Sequence, residues 1–206
     1  MTGITASKRC RIVLTGGPGG GKTTAADLFR REIGEQVVVV PESATILFGG
    51  GFPRGRGLEA CRSAQSAIFH VQRCIEDVQS ASFPDRVLLC DRGTLDGAAY
   101  WPDGDRDFFQ AMGTTFEDEL ARYDAVVFFE TAAVAGTAIE GGNPIRTESL
   151  SEAVLIDSRL RELWSRHERF LFVPNSSSFL QKITRGLGLL NDLVAELARG
   201  NTTTSV

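Results

Sequence analysis

The sequence is poor in the residues that build metal centres and disulfide frameworks. It has two histidines and four cysteines among 206 residues, and no two cysteines form a CxxC pair. Zinc sites need closely spaced cysteine and histidine ligands, so the composition argues against metal chemistry of that kind. Isolated cysteines are typical of reduced thiols in the cytoplasm, where we expect the protein to be located.

Long apolar stretches and an excess of positive charge are also absent. No apolar run approaches the ~20 residues of a transmembrane helix, and Lys8, Arg9 and Arg11 stand where a signal peptide would have its apolar core. The formal net charge is −4, whereas a non-specific nucleic-acid binder is usually basic. We therefore expect neither a membrane nor a nucleic acid as a partner.

What remains is the composition of an ordinary globular domain, with 42% apolar and 23% charged residues. Five apolar, β-branched runs recur, and a helical pattern follows each of them. Continuous apolar runs are typical of strands buried on both faces, and their alternation with helices predicts a doubly wound parallel α/β sheet. The runs are Arg11–Thr15, Val37–Val40, Val87–Cys90, Ala125–Phe129 and Phe170–Val173.

Glycine is abundant, with 22 residues, and one cluster precedes a lysine and a threonine. Residues 16–23 read GGPGGGKT and match G-x-x-x-x-G-K-[ST] between a predicted strand and a predicted helix. Glycines let successive N–H groups face phosphate oxygens, and the helix presents its positive N-terminal end to the same anion. We predict that ATP or GTP binds here, that Lys22 reaches the β- and γ-phosphates, and that Thr23 ligates Mg²⁺. The predicted nucleotide-binding residues are Gly17, Gly19, Gly20, Gly21, Lys22, Thr23 and Thr24.

The third apolar run is followed by Asp91 and Arg92. An apolar strand that delivers an aspartate beside a phosphate loop is typical of the Walker B arrangement, in which the carboxylate lies near Mg²⁺. Asp91 is therefore the second predicted metal residue, together with Thr23. A strand-end ion pair is the alternative for Asp91 and Arg92.

The phosphate loop resembles the Walker A motif of the P-loop NTPases, and the Asp-Arg pair resembles that of nucleoside and nucleotide kinases such as thymidylate and deoxynucleoside kinases. By that resemblance Arg92 reaches the acceptor or the transferring phosphoryl group. Glu42, just past the second apolar run, matches the place of the general base toward the acceptor hydroxyl. A helix-capping or solvated Glu42 is the alternative.

A series of weaker motifs extends the resemblance from about Ile12 to Ile183. They are PESATI at 41–46, GGFP at 50–53, DRGTLDGAAY at 91–100, NPIRTE at 143–148, WSRH at 164–167 and FLQK at 179–182. The series looks like the AAA-domain family of predicted ATPases and kinases that includes the ribosylnicotinamide kinase part of the bacterial nicotinamide regulator. We therefore predict a five-stranded sheet of order 2-3-1-4-5 and phosphoryl-transfer chemistry, without a particular substrate.

The segment after the fourth run stands where nucleotide kinases have a lid, which we assign to about residues 131–151. Arg146 is the predicted lid cation, because phosphoryl transfer builds negative charge that a movable cation can stabilise. A solvated loop arginine is the alternative. Residues 1–199 are expected to form one domain, and residues 200–206 a frayed tail.

Two further segments supply weaker candidates for the acceptor. Arg54 lies in the second glycine cluster, residues 49–57, and suits an anionic acceptor, although a solvated loop explains it as well. Asp96 and Tyr100 lie one turn apart on a predicted helix after Arg92 and could orient an acceptor hydroxyl, whereas a helix-start Asp96 is the alternative.

The predicted helix from about Leu58 to Ser80 has two stripes. An apolar stripe is expected to face the core, namely Cys61, Ala64, Ile68, Val71, Ile75 and Val78. The neighbouring stripe is Gln65, Phe69, Gln72 and Glu76. A phenylalanine between amides on a non-core face could stack on a flat ligand, so Gln65, Phe69 and Gln72 are candidates; a partly covered surface phenylalanine is the alternative.

The favoured function is Mg²⁺-dependent transfer of the γ-phosphoryl group of ATP or GTP to a small acceptor. A nucleoside, a nucleotide or a nucleoside-like cofactor precursor fits best. The rival hypothesis is a nucleotide-dependent switch that hydrolyses its nucleotide slowly and signals to a protein partner.

Overall fold

The computed structural model describes residues 10–136 and 149–202 of the chain. The apolar runs predicted its strands to within one residue, because a strand buried on both faces has few polar positions to interrupt it. The strands are β1 (Arg11–Thr15), β2 (Val37–Val40), β3 (Val87–Asp91), β4 (Ala125–Phe129) and β5 (Phe170–Val173).

Helices connect these strands. The α-helices are α1 (Lys22–Ile33), α2 (Ser43–Gly49), α3 (Leu58–Ser82), α4 (Asp96–Tyr100), α5 (Asp105–Met112), α6 (Phe116–Leu120), α7 (Leu150–Trp164) and α8 (Phe179–Thr202). Short 3₁₀ turns follow α1 and β4, at Gly34–Gln36 and Ala132–Ala135. Local sequence explains where α7 begins: Ser149 and Glu152 form a reciprocal capping box that satisfies backbone N–H groups of the first turn.

All strand pairs are parallel, and the order β2-β3-β1-β4-β5 confirms the prediction. Strand β1 lies in the middle, with Leu14 opposite Asp91 of β3 and Thr15 opposite Phe128 of β4. Parallel strands end at the same edge of a sheet, so the loops after β1, β2 and β3 open together. The topology therefore collects the phosphate loop, Glu42 and Asp91 at one edge.

Helices on both faces of the sheet make two apolar cores. Helices α1 and α8 cover one face, and their apolar side chains pack on the inner residues of β1 and β4. On the other face, α3, α4, α5 and α7 surround a cluster of aromatic rings. Phe108 lies at its centre and packs edge-on, at centroid distances of 5.8, 5.4 and 5.2 Å, against Phe69, Trp101 and Phe109.

Helix α3 buries a different face from the one that its apolar stripe predicts. Phe69, Gln72 and Glu76 are 2%, 1% and 0% exposed, whereas Val78 is 63% exposed. The prediction that Phe69 lies on a non-core face is therefore wrong. The reason is tertiary, because Phe69 packs against Phe108 and the polar side chains on its stripe find hydrogen-bond partners that make their burial tolerable.

Two predicted features lie wholly or partly outside the described residues. Arg146 and most of the segment assigned to a lid fall within residues 137–148. Helix α8 continues to Thr202 and so includes the first residues of the stretch expected to be a tail. Of the helices that the structure describes, none combines the length and apolarity needed to cross a bilayer.

Candidate active site

A tight loop of residues 16–21 follows β1. Gly16, Gly19 and Gly21 have φ angles of 130°, 76° and 85°, a region that favours glycine. A side chain at Gly16 would also place its Cβ 2.0 Å from the carbonyl oxygen of Phe129. Helix α1 begins directly after this loop, at Lys22, so its unpaired first N–H groups lie beside it. These are the features of an anion site for phosphate groups.

The Lys22 side chain lies inside the loop of residues 16–21, where it is predicted to contact phosphates. It is 1% exposed, and its Nζ donates a hydrogen bond to the Gly17 carbonyl oxygen at 2.7 Å. Lysine carries its charge on a flexible stem, so Nζ can turn from this carbonyl oxygen toward an anion in the loop.

Asp157 on α7 is a site residue that the sequence analysis missed. It is 4% exposed, and its Oδ1 accepts hydrogen bonds from the N–H groups of Gly17 at 2.7 Å and Thr131 at 2.9 Å. Burial raises the pKa of this carboxyl, and the two N–H groups oppose the rise. Helix α7 is thereby tied to the phosphate loop. A lone acid between Ile156 and Leu160, on the buried side of a helix, was the available signal.

Asp91 ends β3 beside the phosphate loop. Burial raises the pKa of Asp91 and nearby Glu42 raises it further, whereas Lys22 and the Thr23 side chain lower it. Its Oδ1 is buried and has no hydrogen-bond partner among the described residues. An unpaired carboxylate oxygen near a hydroxyl fits Mg²⁺, which prefers oxygen ligands and completes its shell with water and phosphates.

The described residues do not form a metal site built from protein ligands alone. Within residues 10–136 and 149–202, no three or more histidine, cysteine, aspartate or glutamate side chains come together as a possible metal site. The Mg²⁺ predicted here is of the kind held by few protein oxygens and by the nucleotide itself.

Arg92 links the phosphate loop to the acid that follows β2. Its Nη1 donates hydrogen bonds to the carbonyl oxygen of Gly16 and to Oδ2 of Asp96, both at 2.9 Å, and its Nε donates to Oε1 of Glu42 at 3.2 Å. The residue is 8% exposed. The ion-pair partners that the structure gives Arg92 are thus Glu42 and Asp96.

Asp96 begins α4 with both carboxylate oxygens occupied. Oδ1 accepts from Nε1 of Trp164 at 2.7 Å, Oδ2 accepts from Arg92, and the Thr15 hydroxyl lies 2.9 to 3.0 Å from both. These contacts support a role for Asp96 in holding the Arg92 guanidinium. They give less support to the prediction that Asp96 orients an acceptor hydroxyl. Sequence reasoning did not connect Trp164 or Thr15 with the site, because neither contact is local in the chain.

Glu42 stands at the start of α2, but its carboxylate makes no capping bond to the helix backbone. Its Oε2 accepts from the Thr45 hydroxyl at 2.5 Å, and its Oε1 accepts from Arg92. The side chain is 14% exposed. The capping alternative is therefore not what the structure shows, and the carboxylate stays within reach of a bound molecule.

A cavity of about 470 Å³, which we call the acceptor cavity, opens beside Glu42 and Arg92. Pro18 of the phosphate loop lines it, and so do residues 53–56. Five of the six predicted acceptor residues line it as well, namely Arg54, Gln65, Gln72, Asp96 and Tyr100. The sixth, Phe69, is packed in the aromatic core instead.

Two arginines at this cavity lack acidic partners among the described residues. Arg54 stacks its guanidinium over the ring of Phe48 at 4.1 Å, and Arg56 lines the same wall. Other arginines of the acceptor side are paired, as Arg62 is with Asp103 at 2.5 Å. Unpaired guanidinium groups beside a cavity are suited to an anionic group.

A second cavity, of about 440 Å³, adjoins the phosphate loop at Gly19. Phe179 and Lys182 of α8 line it, together with the 3₁₀ turn after β4 and residues 175–177. Lys182 donates a hydrogen bond to the Glu130 carbonyl oxygen, and burial lowers its pKa from 10.5 to about 8. The sequence motif at residues 179–182 thus belongs to the wall of a cavity.

Comparison with known proteins finds one family and a set of related folds. Residues 11–181 match the AAA domain family, and no curated protein matches the chain. A solved structure of deoxyadenosine kinase from M. mycoides with bound dATP is similar, with a TM-score of 0.62, 13% sequence identity, and coverage of 88% of this chain and 99% of that chain. The structure of that kinase with the products dCMP and a flexible dCDP has a TM-score of 0.59 at the same identity and coverage.

The sheet order and the phosphate loop are those of the P-loop NTPases, and the kinase structures share this fold along almost their whole length. The chain is therefore a P-loop NTPase with nucleoside kinases among its structural relatives. Since the family match covers most of the sequence, the protein belongs to the AAA domain family.

Proposed function

We propose that this protein is a phosphotransferase that moves the γ-phosphoryl group of ATP or GTP to a small acceptor. The observation that carries the proposal is the pairing of Glu42 with Arg92 at 3.2 Å in a cavity that Pro18 of the phosphate loop also lines. A base and a cation beside the phosphate loop are what transfer to a hydroxyl requires.

The donor nucleotide would bind with its phosphates in the loop of residues 16–21 and with Lys22 on the β- and γ-phosphates. The cavity beside Gly19 offers space for the nucleobase of the donor. Mg²⁺, held by Thr23 and Asp91, would neutralise charge on the β- and γ-phosphates. Cation support from Arg146 is part of the proposal, although that residue lies outside the described ranges.

On the acceptor side, Glu42 takes the proton of the attacking hydroxyl and passes it to solvent. The acceptor oxygen forms a bond to the γ-phosphorus as the bond from that phosphorus to the bridging oxygen breaks, and the nucleoside diphosphate leaves with the electron pair. Arg92 stabilises charge on the transferring group. Asp96 keeps the Arg92 guanidinium in place.

A nucleoside, a nucleotide or a nucleoside-like cofactor precursor is the proposed acceptor. The shared fold with a kinase solved with dATP, and with dCMP and dCDP, supports this class. Gln65 and Gln72 supply amides in the cavity wall, while Arg54 and Arg56 suit an anionic substituent. The cavity favours a kinase over a nucleotide-dependent switch, which needs no second substrate.

The test is a single-turnover assay with γ-labelled ATP or GTP and Mg²⁺. The acceptor panel contains nucleosides, nucleoside monophosphates and ribosylated cofactor precursors, with Glu42→Gln as the matched control that keeps the phosphate loop intact. We expect a labelled, phosphorylated acceptor with the unmodified protein and far less with the control. Hydrolysis at the same rate with every acceptor, without a phosphorylated product, would replace the kinase by the nucleotide switch.

We place the protein in the cytoplasm as part of this proposal. None of its four cysteines forms a disulfide, which agrees with a reducing compartment. The proposed partners are a nucleoside triphosphate and a small molecule, which the two cavities can accommodate.

A further inference from the structure

The proposed reaction leaves one fully buried acid unused. Glu76 of α3 is 0% exposed and accepts a hydrogen bond from Gln72, which lines the acceptor cavity. Its Oε2 is 2.7 Å from Nη2 of Arg122 and 3.8 Å from Nε of Arg11, and its Oε1 accepts a hydrogen bond from the Tyr123 hydroxyl at 2.8 Å. A buried carboxylate is tolerated when it is paired and hydrogen-bonded in this way. The ion pairs and hydrogen bonds explain why the Glu76 carboxylate can be buried, but they do not explain its function.

Two neighbours connect Glu76 to the turn that carries Arg92. The Gln72 amide Nε2 donates to Oε1 of Glu76 and to the carbonyl oxygen of Arg92, both at 3.2 Å. The Tyr123 hydroxyl, which donates to Glu76, accepts from the backbone N–H of Thr94 at 2.8 Å. Oε1 of Glu76 therefore orients both the Gln72 amide and the Tyr123 hydroxyl. The amide binds the Arg92 carbonyl oxygen at one end of the turn, and the hydroxyl binds the Thr94 N–H at the other.

That turn needs such support. Arg92 has a φ of 78°, and it is the one non-glycine residue with positive φ among the described residues. A side chain rarely adopts this conformation without surroundings that enforce it. The unusual backbone aims the guanidinium at Gly16 and Glu42, so a relaxed turn would move the cation out of the site.

We propose that Glu76 is a positioning residue, which acts through Gln72 and Tyr123 to hold the turn of residues 92–94 so that Arg92 faces the transferring phosphoryl group. The inference rests on the role proposed for Arg92. It assigns the buried polar face of α3 to the reaction, although Glu76 touches neither substrate.

The first test compares Tyr123→Phe and Glu76→Gln with Glu119→Gln. Glu119 is 1% exposed and pairs with Arg73 at 2.9 Å and with Arg122, the partner of Glu76, at 3.6 Å. The control therefore removes a buried charge from the same ion-pair network, but among the described residues its carboxylate makes no hydrogen bond to Gln72, to Tyr123 or to the turn. The measurement is the single-turnover rate from MgATP to the acceptor that the panel identifies, or to water if it identifies none. We expect about a 10-fold loss in the two test variants with MgATP affinity within about two-fold, because misplaced groups slow chemistry more than binding.

The second test combines Tyr123→Phe with Arg92→Ala. If Tyr123 acts through Arg92, the double variant is no slower than Arg92→Ala alone, and an effect that remains at full size in the Arg92→Ala background overturns the inference.

Hydrogen exchange at the Thr94 amide measures the hydrogen bond from this N–H to Tyr123 directly, without an enzymatic assay. We expect faster exchange in Tyr123→Phe and Glu76→Gln and unchanged exchange in Glu119→Gln; exchange at the original rate in Tyr123→Phe also overturns it. Tyr123→Phe keeps the ring and its packing, so this arm does not depend on Glu76→Gln folding.

Discussion

The proposed donor side and the proposed acceptor side of this site are assembled in different ways. The donor side is residues 16–24 with Asp91 and Asp157, and most of its groups come from a single stretch of chain. The acceptor side takes Glu42 and Arg92 from the segments that follow β2 and β3, and its cavity wall from α2, α3, α4 and the loop of residues 53–56. A phosphate chain is the same in every nucleoside triphosphate, so a short motif is sufficient to bind it. An acceptor is recognised by shape, and shape comes from packing.

The two sides also hold their cations differently. Lys22 donates a hydrogen bond to a carbonyl oxygen of the phosphate loop, whereas Arg92 donates to two carboxylates and a carbonyl. A lysine on a flexible stem can follow phosphates as they enter, while a guanidinium with several fixed partners keeps one direction. The donor cation is therefore adaptable, and the acceptor cation is preorganised.

The largest expected effect comes from the donor side. In Lys22→Ala, we expect turnover to fall about 1,000-fold or more and MgATP binding to weaken about 100-fold, because a charged contact to the phosphates is lost in the ground state and in the transition state. Calorimetry and single-turnover kinetics measure the two quantities. Arg31→Ala removes an exposed charge from the other end of α1 and should behave as the unmodified protein. Unchanged nucleotide affinity in Lys22→Ala would contradict the assignment of the loop.

Glu42→Gln should separate the two sides of the site. The amide keeps the shape but cannot take a proton, so turnover should drop about 100-fold while MgATP affinity stays within about two-fold. The same pair of measurements applies. Turnover near that of the unmodified protein would show that another group accepts the proton.

Asp96→Asn tests whether the acceptor cation is preorganised. Removing the negative charge beside Arg92 should slow turnover about 10-fold with little change in MgATP affinity, since the guanidinium is less well placed. Thr15→Val is the matched control, because it deletes the hydroxyl that bonds the Asp96 carboxylate but leaves the charge of Asp96 and nearly the same side-chain volume. An equal loss in both variants would mean that the hydrogen bonds of Asp96, not its charge, hold Arg92 in place.

Lys182→Met tests the stability of the fold and not turnover. The pKa of Lys182 is lowered by burial to about 8 in the folded chain, from 10.5. Below pH 8 the protonated ammonium therefore opposes folding by up to about 3 kcal/mol. As pH rises from 8 toward 10.5, the folded state loses this proton before the unfolded state does, so the unmodified protein gains stability.

Urea denaturation at several pH values measures this effect. At pH 7 the Lys182→Met variant should be the more stable protein if the hydrogen bond to Glu130 contributes less than the burial cost, and its advantage should shrink as the pH rises to 10. A difference that does not depend on pH would contradict the lowered pKa.

Sequence reasoning reached unequal depths in the two regions. The five strands and the phosphate loop were predicted closely, because continuous apolar runs and a contiguous motif leave few alternatives. Helix α3 was misread, since its larger apolar stripe includes the exposed Val78 while Phe69 and Glu76 are buried. Periodicity reports which faces are apolar, but a neighbour such as Tyr123 can make a polar face the buried one.

Asp157 shows the same limit on the donor side. Its carboxylate holds the Gly17 N–H from 140 residues away in the chain. A single acid on an otherwise apolar helix face is a weak signal, because the sequence does not distinguish a buried aspartate from a solvated one. Only the docking of α7 against the loop distinguishes them.

The sequence by itself determined the class of this protein: a parallel α/β sheet, a Walker A phosphate loop and an Asp-Arg pair at the end of β3. These depend on interactions between residues close in the chain, whose geometry follows from local rules. The tertiary structure decided which groups face each other at the sheet edge, so that Arg92 meets Glu42 and Asp96, and Glu76 supports their turn. Those contacts join elements separated in sequence, and they exist only because the sheet and its helices pack around a common core.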